Sequence, residues 1–344
     1  MTGYALLAHP GQNRVQFDEM RPLYLSEFRA VTARVSSGVS GARFEELGGA
    51  PYILFESDSD IGAEGLAAFA RLSFFFTLFK LDRHTGNTAL LPVEMPDCHY
   101  FPDSMGAMLK YAGKTNERFT RMMLNLARSC CDTGTQGPLH LLDTMCGKGT
   151  TLWEALADGC HASGVEVNAA WWQEAKTFLV RFMETGRYKH KASAETVRGA
   201  GGKKAADVFV LLAANDKAAW EAGDARAVRL ACGDTRQAAS FFPKESFDLL
   251  VTDLPYGVQH SGKGGERSGD IASLLGDSLP GWRRLMKPGG AAALSFNVHT
   301  LKREDAVALL QKHGFTVMKE EPYIGFLHRV DQGIKRDLIV AKRP

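Results

Sequence analysis

The chain has 344 residues, 45% hydrophobic and 23% charged, an ordinary globular composition that excludes a disordered or fibrous protein. No apolar run reaches the roughly 18 residues of a membrane span, and the strongest, 72–81 (LSFFFTLFKL), carries Lys80. Net charge is +2, too small to identify a partner, yet residues 1–100 hold 8 Lys/Arg against 12 Asp/Glu and the remainder 33 against 27, so the two parts are expected to do different work.

The first residues, MTGYALLAHP, lack the basic and apolar regions of a signal peptide. Six cysteines form no CxxC pair and no metal spacing, which predicts reduced thiols, no metal site and a cytoplasmic protein. In chain order, residues 4–8 read as a strand, 22–35 as a helix and 50–56 as a strand. Residues 65–81 are apolar on most faces and read as a buried helix. Residues 82–102, with three prolines, read as a linker holding one strand at 89–94. A small α/β module is therefore expected over 1–95.

From about residue 103 strands and helices alternate. A helix is expected at 117–128, and strands at 139–143, 162–166, 228–231, 248–253, 290–296, 316–319 and 337–341, with helical patterns between the first five. This order predicts a Rossmann-like, doubly wound, seven-stranded sheet over 103–344, with ligands at the carboxyl ends of the strands. The last two strands, joined only by a loop, suit an antiparallel pair. Between 166 and 228 two helices are expected, 169–185 and 205–222, around a basic insertion near 186–204 (GRYKHKASAETVRGAGGKK). The insertion suits a solvated loop or a phosphate contact equally. The paired helices suit a homodimer surface or a longer crossover.

Residues 141–152 read LLDTMCGKGTTL. A buried strand ends in Asp143, then a turn with Cys146, Gly147, Lys148 and Gly149 leads into a helix opening at Thr150. Such glycines permit a tight turn and close backbone approach to a ligand, and helix-start amides can meet an anionic group. The P-loop and dinucleotide patterns both fail here. Glu166 ends the next strand, 19 residues after Gly147, where a carboxylate can accept ribose hydroxyls. Asp234 and Thr235 follow the third strand. The run D-x-x-C-G-x-G-T resembles motif I of the class I S-adenosylmethionine methyltransferases, departing at Thr144, Met145 and Lys148. That resemblance implies S-adenosyl-L-methionine as cofactor, with Asp143, Cys146, Gly147, Gly149, Thr150, Glu166, Asp234 and Thr235 around it, and Asp234 on the adenine amine.

Residues 247–260 read FDLLVTDLPYGVQH. The segment Asp253-Leu254-Pro255-Tyr256-Gly257 resembles the (N/D/S)-P-P-(Y/F) motif of methyltransferases acting on exocyclic or amide nitrogen. The resemblance implies Asp253 as acceptor of an amine N–H, Pro255 as the shaping residue and Tyr256 as a stacking platform for a planar base. With Leu254 in place of the first proline, the motif looks like that of the tRNA guanine-N2 methyltransferases that carry a THUMP domain, and the RNA partner implied is tRNA. Residues 110–127 (KYAGKTNERFTRMMLNLA) resemble that family's segment beside the cofactor, which would put Thr115 and Asn116 on the cofactor carboxylate. Over 1–100 the resemblance is weak and a full THUMP domain is missing. Alternatives are DNA adenine-N6 or cytosine-N4 methylation, protein glutamine methylation, or a non-catalytic RNA-binding factor.

Other residues invite weaker readings. His260 and the glycine-rich 261–269 suit a loop over the pocket. Phe296 and Asn297 are placed to line it. Trp171 and Trp172 read as packing, and Cys146 as a structural thiol. His328, Arg329, Lys335 and Arg336 suit a phosphate grip or a solvated hairpin.

Overall fold

The computed structural model describes residues 1–9, 14–35, 38–84, 87–109, 114–198, 202, 204–256, 270–331 and 333–344. The chain forms two compact units, residues 1–98 with 319–329, and residues 99–318 with 330–344. In the first, β1 (Thr2–Ala8), α1 (Arg14–Val35), β2 (Val39–Leu47), β3 (Ala50–Ser57), α2 (Ala63–Ala70), β4 (Phe75–His84) and β5 (Asn87–Pro92) follow in order. The strands make an antiparallel sheet in the order β2-β3-β1-β4-β5. Phe28 of α1, Phe55 of β3 and Phe69 of α2 meet with ring centres 4.9–5.7 Å apart and form its core.

The buried helix expected over 65–81 is corrected. The helix stops at Ala70, and β4 begins at Phe75, pairing with β1 (Leu6 opposite Leu78) and β5 (Lys80 opposite Leu91). A short aromatic run satisfies a buried helix and a strand equally, and backbone pairing decided between them. The expected linker starts inside β4, and its strand is β5, two residues earlier than read.

The second unit adds α3 (Met105–Met108), α4 (Glu117–Cys130), β6 (His140–Asp143), α5 (Thr150–Ala157), β7 (His161–Glu166), α6 (Ala169–Thr185), β8 (Lys189–Arg198), β9 (Lys204–Ala214), α7 (Lys217–Glu221), β10 (Arg226–Cys232), β11 (Phe247–Asp253), α8 (Asp270–Leu285), β12 (Met286–Asn297), α9 (Arg303–Lys312) and β13 (Thr316–Val317). The two-residue β14 (His328–Arg329) falls in the first unit, and β15 (Lys335–Lys342) closes the second. The sheet path is β13-β15-β12-β11-β6-β7-β10-β9-β8. The five central strands β12, β11, β6, β7 and β10 run parallel, and β15 runs antiparallel to both β12 and β13.

Two further strands extend this sheet beyond the seven expected. The helix read at 205–222 is instead β9 followed by the single turn of α7, and the basic insertion supplies β8. Val208, Phe209 and Leu211 are buried while Leu212 is exposed, the two-faced burial of a strand lying on a core. The Lys-bearing β8 is the sheet edge, where charge discourages pairing with another chain. The paired-helix dimer surface therefore loses its second helix. Residues 199–201 and 203 of the insertion lie outside the described residues.

The central strands are apolar because both faces are covered. Leu250 of β11 belongs to one buried cluster with Trp282 of α8 and Phe296 of β12, and Leu249 and Val251, on the opposite face of the strand, are equally buried. The parallel direction brings Asp143, Glu166, Cys232 and Asp253 to one edge. No described helix is long and apolar enough to cross a membrane.

Candidate active site

The turn after β6 is held by its own backbone. Cys146 N donates to Val165 O at 2.9 Å and Gly149 N to Cys146 O at 2.7 Å. Gly147 (φ +53°) and Gly149 (φ +95°) take left-handed conformations that suit glycine. A Cβ at Gly149 would lie 2.4 Å from the Trp153 ring, while one at Gly147 would meet nothing within 4 Å. Helix α5 starts at Thr150 with Gly149 as an N-cap that has no side chain to offer. Gly149 therefore brings no side-chain oxygen to the first amides of the helix. Lys148, where the resembling motif has Ser, pairs with Glu174 at 2.5 Å. The Cys146 thiol is buried, and burial pushes its pKa well up, as befits a packing residue.

Glu166 is buried at the end of β7. Its Oε2 accepts from Gly147 N at 2.9 Å and its Oε1 from Asn168 N at 2.6 Å, so this acid braces the turn. On the neighbouring strand end, Asp234 accepts from Arg236 N at 2.9 Å and pairs with the Arg236 guanidinium, which holds its pKa down. Thr235 turns into the core, where its hydroxyl accepts from Trp282 Nε1 at 3.1 Å. Val167, directly after Glu166, is 72% exposed and offers an apolar face beside the two acids. The Thr144 hydroxyl is buried, with no hydrogen-bond partner among the described residues. An open glycine turn, a helix start with glycine at its N-cap and two acids at adjacent strand ends form a donor and acceptor set that fits S-adenosylmethionine. Among the described residues no group of three His, Cys, Asp or Glu could hold a metal ion.

Asp143 is 2% exposed and accepts from Met145 N at 3.1 Å. Burial pushes its pKa from the ordinary 3.8 up to about 6. The folded state therefore holds a proton between those values that the unfolded state has lost. Stability falls as pH rises through that window and stays lowered above about 6. Asp143→Asn, which keeps the acceptor for Met145, is expected to gain about 1–3 kcal/mol at pH 8 and nothing at pH 3.5. Urea denaturation at the two pH values checks this.

Asp253 leaves β11 into a cage of hydroxyls. Its Oδ1 accepts from Ser295 Oγ at 2.7 Å; its Oδ2 accepts from Thr115 Oγ1 and from Tyr256 OH, each at 2.5 Å. Burial and the Asp253 charge hold the Tyr256 phenol far above its usual pKa. Three of the expected site residues have partners within the chain. Thr115 sits on Asp253. Asn116 is the N-cap of α4, accepting from Arg118 N and Phe119 N, and caps are what this residue type does best. Tyr256 points its hydroxyl at Asp253, and Arg336 lies over its ring at 5.2 Å, so that face is not an open platform. Arg336 is also no hairpin phosphate grip: it is buried, while Lys335 beside it is exposed. Of the expected lining pair, Phe296 is core and Asn297 caps a turn by accepting from His299 N and Lys335 N. Trp172 packs by donating to Leu230 O at 3.0 Å. Gly257, His260 and 261–269 lie outside the described residues.

Sequence reading missed Ser295 as a partner of Asp253. The parallel pairing of β11 and β12 sets the two residues side by side, and a serine closing an otherwise apolar strand was the available signal. Leu254 explains the departure from the two-proline motif. It is 2% exposed in the core, and its N–H donates to Ser295 O at 2.8 Å. Leu254→Pro removes that donor and most of the packing, and is expected to cost about 3 kcal/mol or more, read as a lowered thermal midpoint.

A family model described as UPF0020, RMKL-like, methyltransferase domain, matches residues 108–304. No curated protein sequence matches the chain. Among solved structures it is similar to TrmN from Thermus thermophilus, at 15% identity and a TM-score of 0.47 over 100% of both chains. It is also similar to precorrin-6y C5,15-methyltransferase from Geobacter metallireducens, at 16% identity and a TM-score of 0.40, covering 69% of this chain and 95% of that one. A TehB-like SAM-dependent methyltransferase from Corynebacterium glutamicum matches at 14% identity and a TM-score of 0.35, over 66% of this chain and 97% of the other.

Proposed function

The chain belongs to the UPF0020 family of RMKL-like methyltransferase domains, and we propose that it methylates the exocyclic N2 of a guanine in RNA, with tRNA as the substrate class. It is an S-adenosylmethionine-dependent methyltransferase of the class I fold. The observation that carries the finer reading is the D-L-P-Y segment at the carboxyl end of β11, whose Asp253 collects three hydroxyl hydrogen bonds at 2.5–2.7 Å. The carboxylate is thus built to accept N–H or O–H groups at the edge that also holds the glycine turn.

When bound, S-adenosylmethionine supplies a methyl group on a sulfonium and leaves as the neutral thioether. The guanine amine is conjugated with its ring and weakly nucleophilic. Asp253 accepts one of its N–H groups, displacing a hydroxyl from Oδ2, and a backbone carbonyl beside Pro255 accepts the other. Together they turn the nitrogen lone pair toward the methyl and stabilise the positive charge that develops on nitrogen. The N–C bond forms as the S–C bond breaks, and the amine proton that faces Asp253 passes to that carboxylate and on to water. Glu166 and Asp234 would hold the ribose and adenine ends, Gly147, Gly149 and Thr150 would let the cofactor approach the backbone closely, and Asp143 supports the turn. The acidic N-terminal unit positions the RNA without gripping its phosphates.

Methyl-labelled S-adenosylmethionine with unmodified tRNA, ribosomal RNA, DNA and protein tests the reading. N2-methylguanosine in digested tRNA is the expected product. Label in N6-methyladenine, N4-methylcytosine or protein glutamine would overturn the base assignment.

A further inference from the structure

Arg336 is the second residue of β15 and is 4% exposed. Its guanidinium carbon lies 4.5 Å from the centre of the Phe119 ring and 5.2 Å from that of Tyr256. The cation is held between two aromatic faces, one from α4 and one from the exit of β11, and each attracts it. Its Nη2 lies 3.9 Å from Asp253 Oδ2, beyond hydrogen-bond length. Its Nε has no hydrogen-bond partner among the described residues. The neighbouring acid Asp337 is taken by Arg303 at 2.8 Å. Buried guanidinium N–H groups are ordinarily matched by acceptors, because an unmatched one costs free energy. Here part of that donor set is unmatched, and it lies beside the acid that the reaction needs.

We propose that Arg336 reads the carbonyl oxygen of the target base and is a specificity-determining residue for guanine. The inference rests on the guanine-N2 reading above. Tyr256 holds two places at once: its hydroxyl sits on Asp253 Oδ2 and its ring covers Arg336. A base that offers its amine to Oδ2 displaces the hydroxyl, and the ring moves with it. Arg336 then faces the pocket with N–H donors beside the Asp253 acceptor. This pair matches a base edge that carries an amine donor and a carbonyl acceptor. Guanine presents its N2 amine, N1–H and O6 along one edge. Adenine presents an amine and a bare ring nitrogen, with no carbonyl. Cytosine has both groups, but the bare N3 between them turns a lone pair toward the carboxylate.

The test compares tRNA transcripts that the wild-type protein labels, made with guanosine or with 6-thioguanosine. The sulfur analogue keeps the N2 amine and N1–H and replaces O6 by a weaker acceptor. Wild type is expected to prefer guanosine by about tenfold or more in kcat/KM, the effect of one hydrogen bond to a charged donor. Arg336→Met is expected to lose about tenfold or more on guanosine and to bring the two transcripts within about twofold of each other. Arg336→Lys, which keeps a donor, is expected to retain part of the preference, and it carries the test if the Met variant does not fold. Cofactor affinity by calorimetry is expected to hold in both variants. An equal loss on both transcripts, with the preference intact, would make Arg336 a prop for Tyr256 and overturn the inference alone. A wild-type product other than N2-methylguanosine would overturn the guanine reading and the inference with it.

Discussion

Asp253→Ala is expected to slow methyl transfer by about 10²–10³-fold or more, the usual cost of removing one preorganised polar contact to the reacting group. Cofactor affinity should stay within about twofold, because Asp253 lies on β11 while the cofactor turn is built from β6, α5 and β7. Losing the carboxylate also strands the hydroxyls of Thr115, Ser295 and Tyr256 and leaves buried Arg336 without its facing charge. A stability loss of about 1–3 kcal/mol should accompany the change. Asp253→Asn keeps the shape and one acceptor oxygen, and should fall between the two in rate. Single-turnover labelling beside calorimetry separates these effects. Near-normal turnover in Asp253→Ala with intact cofactor binding would remove Asp253 from the chemistry.

Two alanine substitutions in the glycine turn are expected to fail in different ways. At Gly149 the backbone sits at φ +95°, and an added Cβ would lie 2.4 Å from the ring of Trp153. That tryptophan is fully buried and donates to Lys148 O at 3.1 Å, so it has little room to retreat. Strain and overpacking together should cost about 2–5 kcal/mol. Gly147→Ala meets no neighbour and takes the left-handed conformation at about 1–2 kcal/mol. Its cost should appear in binding, since the methyl occupies the space through which the backbone approaches the cofactor. We expect Gly147→Ala to weaken cofactor affinity by about tenfold or more. Chemical denaturation and calorimetry on both variants check the contrast. Unchanged affinity in Gly147→Ala would place the cofactor elsewhere.

The local chemistry of this protein can be read along the chain. A buried strand ending in an acid, a glycine turn and a helix start fall within a dozen residues, and their conformations depend on near neighbours. For the same reason the helix over 169–185 and the strands ending at Asp143, Glu166 and Asp253 stand where the pattern puts them. The segments 72–81 and 204–214 went the other way. Each is a short apolar run whose backbone groups can be satisfied within a helix or by a neighbouring strand, and only the presence of β1 and β10 beside them decides. The cage around Asp253 is further from reach. Thr115 lies 138 positions away and Ser295 42, and Arg336 comes from an antiparallel strand beyond both. Ser295 belongs to no motif, Thr115 is legible only within the 110–127 resemblance and Arg336 only as a hairpin cation, and their place beside Asp253 arises from tertiary structure. Pairing β11 with β12, and β12 with β15, brings Ser295 and Arg336 beside one carboxylate, and the segment before α4 adds Thr115.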